Sequence, residues 1–192
     1  MENKEEVIEI IKKRKITKLI HVTRKENLKS ILNYGILSRD DLIKRNIDFK
    51  FNDNDRFDQW EFASCLSVTN LNPFLIKRFI ERQKLNAKDF FEIHVKPTVL
   101  VNNECIFCDT NAASMTFNEY RKNPEKLDLL KSWLALEGMF GKTVRQTKGK
   151  IRRLHKQDNE TTCSQAEICV IGKITQDYFI NIKSMQEFSN DK

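Results

Sequence analysis

Apolar and polar residues recur along this chain with two different periods, and each period predicts one kind of element. Residues 3–14 carry valine and isoleucine among Lys and Glu at helical spacing, which predicts an amphipathic helix. Residues 16–22 then predict a strand. Residues 91–95 alternate between apolar and polar side chains, so we expect a half-buried strand that ends at Pro97.

The helix expected after the first strand is marked at both of its ends. Thr23 and Glu26 have the spacing of a capping box, and Gly35 follows the last apolar position, where a helix C-cap glycine belongs. Other short apolar segments predict five more strands, at residues 62–68, 99–101, 105–107, 166–171 and 178–182.

Two Asn-Pro pairs mark the starts of two further helices. The pairs at 72–73 and 123–124 suit N-cap and first-turn positions, and the helices that follow are expected to end near Gln83 and Gly138. Strands and helices are mixed without a regular βαβ rhythm. This order favours an α+β fold over a doubly wound sheet.

Two stretches show no clean period and are expected to be loops. Residues 44–61 are polar, and residues 142–156 hold seven Lys or Arg and no Asp or Glu. Loops of that length are uncommon in compact domains and are often functional.

Composition bounds the class of protein. A chain of 192 residues with 40% hydrophobic and 32% charged residues is expected to form one domain over 1–192, with 1–15 as an N-terminal helical extension. The net charge of +7 weakly suggests a polyanionic partner. Residues 1–15 are charged, which is unlike a signal peptide, and no apolar run approaches a membrane span, so we expect a cytoplasmic protein without membrane contact.

The five cysteines are odd in number and form no regular framework, which indicates free thiols. Cys105 and Cys108 have CxxC spacing, but a zinc site would need a second pair, and the three histidines are scattered. We therefore expect no metal and interpret these thiols as apolar core residues.

Glu167 opens an apolar strand that follows the basic stretch in the sequence, after residues 157–166. Burying a carboxylate without a partner costs several kcal/mol, roughly, so a carboxylate in that place needs something to hold it. It would suit an enzyme that attacks a cation-forming group beside a polyanion. The alternative is a surface glutamate at a solvated sheet edge.

Four blocks in order resemble the DarT family, the nucleic-acid ADP-ribosyltransferases of bacterial toxin–antitoxin systems. The blocks are His21-Val22-Thr23 with Asn27-Leu28, Ile31-Leu32 and Gly35-Ile36-Leu37-Ser38; Asn54-Asp55-Arg56 with Leu66-Ser67-Val68 and Asn72-Pro73-Phe74; Cys105-Ile106-Phe107-Cys108 with Asn111-Ala112-Ala113-Ser114; and Gln165-Ala166-Glu167. The resemblance implies a single-domain mixed α/β ADP-ribosyltransferase-like fold with a central split β-sheet flanked by helices.

The resemblance also implies NAD as the ADP-ribose donor. Glu167 would be catalytic and stabilise the oxocarbenium-like ribose, with Arg56 as a catalytic and diphosphate-binding partner. The further residues implied to contact NAD are His21, Val22, Thr23 and Ser38, and residues 39–55 would cover it as a flap. The alternative for Arg56 is an ion pair with a neighbouring aspartate, and for Thr23 a helix cap alone.

The basic stretch is implied to present the acceptor. Its candidate nucleic-acid-binding residues are Lys142, Arg145, Lys148, Lys150, Arg152, Arg153 and Lys156. Such contacts give salt-sensitive affinity that does not depend on sequence. The alternative is a solvated charged loop.

The resulting hypothesis is a mono-ADP-ribosyltransferase that modifies a nucleobase, foremost in single-stranded DNA, and acts as a toxin or in phage defence. RNA as the acceptor, a protein acceptor and a non-catalytic nucleic-acid-binding module remain alternatives. The resemblance implies an antitoxin, with a macrodomain ADP-ribosyl hydrolase as the candidate, and we expect the chain itself to be a monomer.

Overall fold

The computed structural model describes residues 4–52, 57–71, 73–146 and 149–185, although for residues 73–75 and 145–146 only the backbone is described. The strands are β1 (Leu19–Arg24), β2 (Ala63–Val68), β3 (Phe90–Val95), β4 (Cys105–Cys108), β5 (Thr143–Gln146), β6 (Gly149–Arg152), β7 (Glu167–Ile171) and β8 (Phe179–Ser184). The helices are α1 (Lys4–Lys13), α2 (Leu28–Tyr34), α3 (Arg39–Lys44), α4 (Pro73–Gln83), α5 (Val99–Asn102), α6 (Asn118–Lys122), α7 (Pro124–Leu129) and α8 (Trp133–Gly138).

Six strands form one antiparallel sheet in the order β4-β7-β2-β1-β3-β8. Its two central strands, β1 and β2, share the register pairs Leu19↔Val68 and Ile20↔Ser67 and then diverge. Past that point β1 stays paired with β3, and β2 stays paired with β7. The sheet is therefore split at its centre, and the expected mixed α/β fold with a split sheet is confirmed.

Apolar side chains cover both faces of this sheet. One buried cluster contains Leu19, Ile93 and Ile168 together with Val7 and Ile10 of α1, so the N-terminal helix is part of the main core. A second cluster on the β4–β7 half is built around Trp60, Ile106 and Phe117. Within the described ranges, no helix is long and apolar enough to cross a membrane.

The region after β1 confirms one capping prediction and corrects the other. Gly35 ends α2 with a φ of +82°, as expected of a C-cap glycine. The capping box at Thr23 is wrong, because β1 continues to Arg24 through its ladder with β3 and a 3-10 turn at 25–27 precedes α2. Pairing of Thr23 and Arg24 with Phe91 and Phe90 in the β1–β3 ladder overrides the local capping signal.

Two other predictions on secondary structure are wrong. Residues 99–101 lie in the short helix α5, since a three-residue apolar run cannot by itself distinguish a strand from a buried helical turn. The helix from 124 to 138 is two helices. The carbonyl of Leu130 accepts a hydrogen bond from the Phe107 amide, and Ser132 starts α8 by accepting one from the Ala135 amide.

The basic stretch, expected to be a loop, is largely a two-stranded hairpin of β5 and β6. Val144 is buried at 1% exposure opposite Ile151, and this apolar pair anchors an otherwise charged ribbon. Residues 147–148, between β5 and β6 in the sequence, lie outside the described residues. The described parts of 45–62 are free of helix and strand, in agreement with the predicted loop, except that α3 ends at Lys44.

Candidate active site

A cleft of about 960 Å³ opens where β1 and β2 diverge. Its walls come from β1, β2, the start of β7, α2, α6 and the segments 49–52 and 110–115. Small-molecule and cofactor sites commonly enclose about 300–1,000 Å³, so this cleft can accept a dinucleotide.

Glu167 lies on the floor of the cleft as the first residue of β7. The register places it between Ser67 of β2 and Cys108 of β4, so it stands inside the sheet and the sheet-edge alternative does not apply. Its Oε2 accepts a hydrogen bond of 2.7 Å from the Ala112 amide. A half-buried carboxylate is thus held at a defined place beside the cavity.

The residues that lead into Glu167 are tied down by polar side chains. The Thr162 hydroxyl donates to the Gly141 carbonyl at 2.6 Å, and the Cys163 thiol donates to the Thr110 hydroxyl at 3.5 Å. The Gln165 amide in turn donates to the Cys163 sulfur at 3.4 Å. These bonds fix the backbone just before the strand, which limits the freedom of the carboxylate.

The loop that supplies the Ala112 amide is itself held by Arg121 of α6. Arg121 donates to the carbonyl of Ala112 at 2.8 Å and to the carbonyl of Ser114 at 3.1 Å. Partial burial lowers the pKa of Arg121, and the field of Asp58 opposes that shift. Sequence reasoning missed Arg121, since an arginine in a short helix carries no motif. The Asn111–Ser114 block was the only sequence signal for this region.

His21 links the two diverging strands. Its Nδ1 lies 3.0 Å from the Cys65 carbonyl of β2, so the hydrogen on Nδ1 is donated across the split of the sheet. His21 also lines the cleft, and Glu167 stands on the next strand beyond β2. The structure therefore brings these two predicted residues to one cavity.

Val22 and Thr23 also line the cleft, and they hold the segment beside it. The Val22 carbonyl accepts a 2.6 Å bond from the Asn52 side chain, and the buried Thr23 hydroxyl accepts a 3.1 Å bond from Asn27. Asn27 also bonds both backbone groups of Lys50, at 2.7 and 2.8 Å. Two asparagines therefore fasten residues 50–52 along β1.

The segment expected to cover NAD begins with α3 and forms one wall of the cleft. The Arg39 guanidinium lies 4.3 Å from the centre of the Phe51 ring, and Phe49 meets Phe51 edge to face at 4.6 Å. Ser38 is not among the residues that line the cleft. It is buried and accepts a hydrogen bond from the Asp41 amide as the N-cap of α3, so its contact with NAD stays a prediction.

Arg56, together with residues 53–55, lies outside the described residues, so its catalytic role stays a prediction. The next two residues, Phe57 and Asp58, both line the cleft. Asp58 is buried and accepts a hydrogen bond from the Trp60 amide at 3.1 Å. The two residues that follow Arg56 in the sequence therefore lie at the cleft.

The charged residues of the cleft favour an anionic ligand. Among the described residues its cations are Arg39, Lys50, Arg78 and Arg121, and its carboxylates are Asp58 and Glu167. Arg121 already donates to two backbone carbonyls, and the other three cations still outnumber the carboxylates. This excess suits a diphosphate, which arginine binds with charge-assisted hydrogen bonds.

Three thiols lie near Glu167 on the same face of the sheet. Cys65 and Cys169 are directly opposite in register with sulfurs 3.5 Å apart, and burial raises the pKa of Cys108. The bond to Cys108 is the largest cause that raises the pKa of Cys169. These two thiols are therefore protonated and poor nucleophiles. The part of the chain that the structure describes contains no group of three or more His, Cys, Asp or Glu arranged to hold a metal.

The basic hairpin lies beside the cleft. Lys150 lines a second hollow together with Met115, and Met115 also lines the cleft. The exposed cations of this region are Lys142, Lys150, Arg152 and Lys156. Arg145 stands opposite Lys150 in the backbone register, and Lys148 lies outside the described residues.

Arg153 differs from its neighbours because its side chain is used within the protein. It donates to the carbonyls of Glu160 and Gln157, both at 2.6 Å, and lies 5.9 Å from the centre of the Phe140 ring. It fastens residues 157–160 to the body of the domain. Its predicted contact with nucleic acid stays a prediction.

Comparisons with known proteins agree with this geometry. The family model described as "ssDNA thymidine ADP-ribosyltransferase, DarT" matches residues 20–192. A Thermosipho africanus (strain H17ap60334) protein described as "DNA ADP-ribosyl transferase-DNA ADP-ribosyl glycohydrolase fusion protein" is 32% identical over 121 residues, which cover 56% of this chain and 30% of that protein.

The solved structure of "Thermosipho africanus DarTG in complex with ADP-ribose" has the same fold. The TM-score is 0.55 at 18% identity, over 86% of this chain and 43% of that one. The chain therefore spans less than half the length of either relative.

Proposed function

Because the chain belongs to the DarT family of single-stranded-DNA thymidine ADP-ribosyltransferases, we propose that it transfers one ADP-ribose from NAD to a thymine base of single-stranded DNA. The family match confirms the resemblance found in the sequence and the class of NAD-dependent ADP-ribosyltransferases. The observation that carries the site assignment is the carboxylate of Glu167, fixed on the floor of the cleft by the Ala112 amide.

In the transition state the bond between nicotinamide and the ribose anomeric carbon breaks, and positive charge develops on the ribose. A carboxylate already held in place stabilises that charge without reorganising during the reaction. Nicotinamide leaves as a neutral base, and it takes the electron pair of the broken bond. Glu167 supplies the negative charge at the point where the sheet splits.

The acceptor step needs a proton acceptor. A thymine ring nitrogen forms the new bond to the anomeric carbon and loses its proton. Glu167 is the described carboxylate on the cleft floor, and it would take that proton after stabilising the oxocarbenium. One residue thereby serves both halves of the transfer.

The donor is expected to lie along β1. His21, Val22 and Thr23 would meet the nicotinamide ribose and amide, and Arg56 would meet the diphosphate. Arg39 and Phe51 offer a cation stacked on a ring in the same wall, which suits a phosphate beside a base. Ser38 would support this wall through α3.

The acceptor strand is expected to run over the basic hairpin, which adjoins the cleft through Met115. Lys142, Lys150 and Arg152 are exposed there and can contact phosphates. A single strand leaves its bases unpaired, so a thymine can reach Glu167 without the energy of opening a duplex.

A toxin–antitoxin role follows as a further proposal. The Thermosipho africanus relative joins a transferase to a DNA ADP-ribosyl glycohydrolase, so a hydrolase that removes the mark is the candidate antitoxin for this chain. The proposal places the enzyme in the cytoplasm, where replicating DNA exposes single strands. Expression in a bacterial host should be toxic, and Glu167→Gln should remove the toxicity.

The direct test is mass spectrometry of short single-stranded DNA and RNA pools incubated with NAD and the protein. We expect an ADP-ribose adduct on thymidine-containing DNA and a loss of about 10³-fold or more in rate for Glu167→Gln. Glu9→Gln is the matched control. Glu9 is exposed on α1, so this variant makes the same chemical change at a site away from the cleft.

Each contrary outcome has a distinct meaning. An adduct on RNA alone would replace the acceptor and keep the reaction. Wild-type transfer by Glu167→Gln would refute the catalytic assignment. Intact NAD with every pool would refute the proposed activity and leave a binding module.

A further inference from the structure

We propose that Arg121 is a positioning residue for Glu167 and acts through the backbone of Ala112. The inference rests on the proposed function of Glu167 and assigns a role to a residue outside the sequence motifs. Arg121 holds the Ala112 carbonyl at 2.8 Å, and the amide of the same Ala112 donates to Glu167 at 2.7 Å. The carbonyl of Ala112 thus accepts a hydrogen bond from Arg121, and the amide of Ala112 restrains the Glu167 carboxylate.

The loop is ordered locally without Arg121. The Ala113 amide donates to the Asn111 side chain at 2.9 Å, and the Ser114 amide donates to the Asn111 carbonyl at 2.8 Å. These bonds close a turn, but they do not set where that turn stands relative to β7. Arg121 ties the turn to α6 through the carbonyls of Ala112 and Ser114, in addition to the bond between Thr110 and Cys163 at the start of the loop.

Helix α6 gives Arg121 a firm base. Phe117, directly before the helix, is buried at 5% exposure in the second apolar cluster, and its ring meets Tyr120 at 5.9 Å and Trp60 at 6.5 Å. Ala112 is itself buried in the same cluster, and Arg121 adds a polar connection from α6 to the Ala112 carbonyl, whose residue in turn holds Glu167. Planar guanidinium donors suit this task because they fix two acceptors at once.

The position of the carboxylate matters because catalysis depends on near-attack geometry. A displacement of about 1 Å in a reacting group can cost about 10²-fold in rate. Without Arg121 we expect the turn to keep its internal hydrogen bonds but to shift relative to β7, and the Ala112 amide would shift with it. The proposal therefore predicts a loss in kcat with little change in binding of the donor.

The test observes the Ala112 amide directly. The chain has six alanines, so [¹⁵N]alanine labelling gives a simple spectrum in which Ala112 is assigned by its loss in Ala112→Ser. An amide that donates to a carboxylate has a downfield proton shift, and Glu167→Gln should move it upfield. Arg121→Met, which adds no alanine, should move the same resonance in the same direction, and Arg121→Lys should move it less.

Activity and binding are measured on the same variants. We expect kcat to fall about 10- to 100-fold in Arg121→Met, with partial recovery in Arg121→Lys, while the Kd for ADP-ribose stays within about twofold. Lys122→Met is the matched control, since Lys122 is the exposed neighbour on the same helix. It should leave kcat, Kd and the Ala112 resonance unchanged.

Two results would overturn the inference. An Ala112 resonance that is unmoved in both Arg121 variants means that Arg121 does not place this amide. A weaker Kd with unchanged kcat would make Arg121 a ligand contact. The spectrum requires no acceptor, so it tests Arg121 even if no DNA adduct forms, whereas failure of the proposed function appears as full transfer by Glu167→Gln.

Discussion

The floor of the cleft and the basic hairpin are built in opposite ways. Glu167 stands inside a six-stranded sheet, paired on both sides and held by a loop amide. The hairpin of β5 and β6 is a separate two-stranded ribbon, anchored by the buried Val144. Its cations at Lys142, Lys150 and Arg152 are exposed.

This difference indicates that the cleft floor serves the chemical step and that the hairpin serves binding of the acceptor. A chemical step needs one group within a fraction of an ångström, and the sheet centre with its hydrogen bonds provides that precision. Binding to a polyanion needs several charges at no fixed geometry, and an exposed ribbon provides them. Substitutions on the floor should therefore change kcat sharply, and substitutions on the hairpin should change affinity gradually.

After Glu167→Gln, the largest expected effect comes from Glu167→Asp, which keeps the charge and shortens the side chain by one methylene. The carboxylate then retreats from the Ala112 amide and from the ribose, so we expect kcat to fall by about 10²-fold or more. The Kd for ADP-ribose, measured by calorimetry, should stay near the wild-type value. An equal kcat for wild type and Glu167→Asp would show that a negative charge is enough for catalysis and that the exact position of the carboxylate is not needed.

The next effect is on the hairpin. Replacing Lys142, Lys150 and Arg152 together by alanine should reduce the salt dependence of single-stranded DNA affinity by up to about two units of slope, at about 0.7 per phosphate contact. KM for DNA should rise, and kcat at saturating DNA should hold. Fluorescence anisotropy over a range of salt concentrations measures the slope.

A charge-matched control separates local contacts from net charge. The exposed lysines Lys12, Lys88 and Lys183 lie on other elements, and their triple alanine variant removes the same charge. An equal loss of slope in both triple variants would assign the effect to the overall charge of +7 and remove the hairpin from the acceptor path.

Within the hairpin region, Arg153 should behave unlike Arg152. Arg153→Ala removes its bonds to the Glu160 and Gln157 carbonyls and should lower the free energy of unfolding by about 1–3 kcal/mol. Arg152→Ala, on an exposed side chain, should change stability by about 0.5 kcal/mol or less and act on DNA affinity. Urea unfolding of both variants gives the comparison. A stable Arg153→Ala with weakened DNA binding would restore Arg153 to the nucleic-acid surface.

The sequence predicts the site better where a residue belongs to a motif on a strand. His21 and Glu167 lie on β1 and β7, and short apolar runs in the sequence predict both strands. The CxxC thiols Cys105 and Cys108 were expected in the core, and both are buried on β4. The strand order of the folded sheet and the divergence of β1 from β2 then bring His21 and Glu167 to one cleft.

Other features depend on distant contacts that no local pattern encodes. The helix at 124–138 breaks because the Leu130 carbonyl is taken by Phe107 of β4. The hairpin forms because the Val144 side chain is buried in the folded protein, although many residues around it in the sequence are charged. Arg121 acts on Glu167 through a loop nine residues away in sequence, which only the folded chain reveals.

The smallest expected effect concerns Asp109, which follows β4 directly after Cys108. Burial raises the pKa of its carboxyl, and a backbone hydrogen bond opposes that shift. A carboxyl with a raised pKa in the folded state binds its proton more tightly there than in the unfolded chain. Its ionisation therefore lowers stability as pH rises, with no penalty at pH below the unfolded pKa and the full penalty above the folded pKa.

Asp109→Asn removes this penalty, so the variant should be more stable than wild type at pH 7 and equal to it near pH 3. The gain should stay below about 1 kcal/mol, because solvent screens a carboxyl that is only partly buried. Thermal unfolding at both pH values measures it, with the exposed Asp48→Asn as control. A gain that persists at pH 3 would assign the effect to packing of the amide and not to the charge. A lower stability of Asp109→Asn at pH 7 would mean that a favourable contact stabilises the ionised Asp109. The end of β4 would then hold a carboxylate in a specific contact, as the start of β7 holds Glu167.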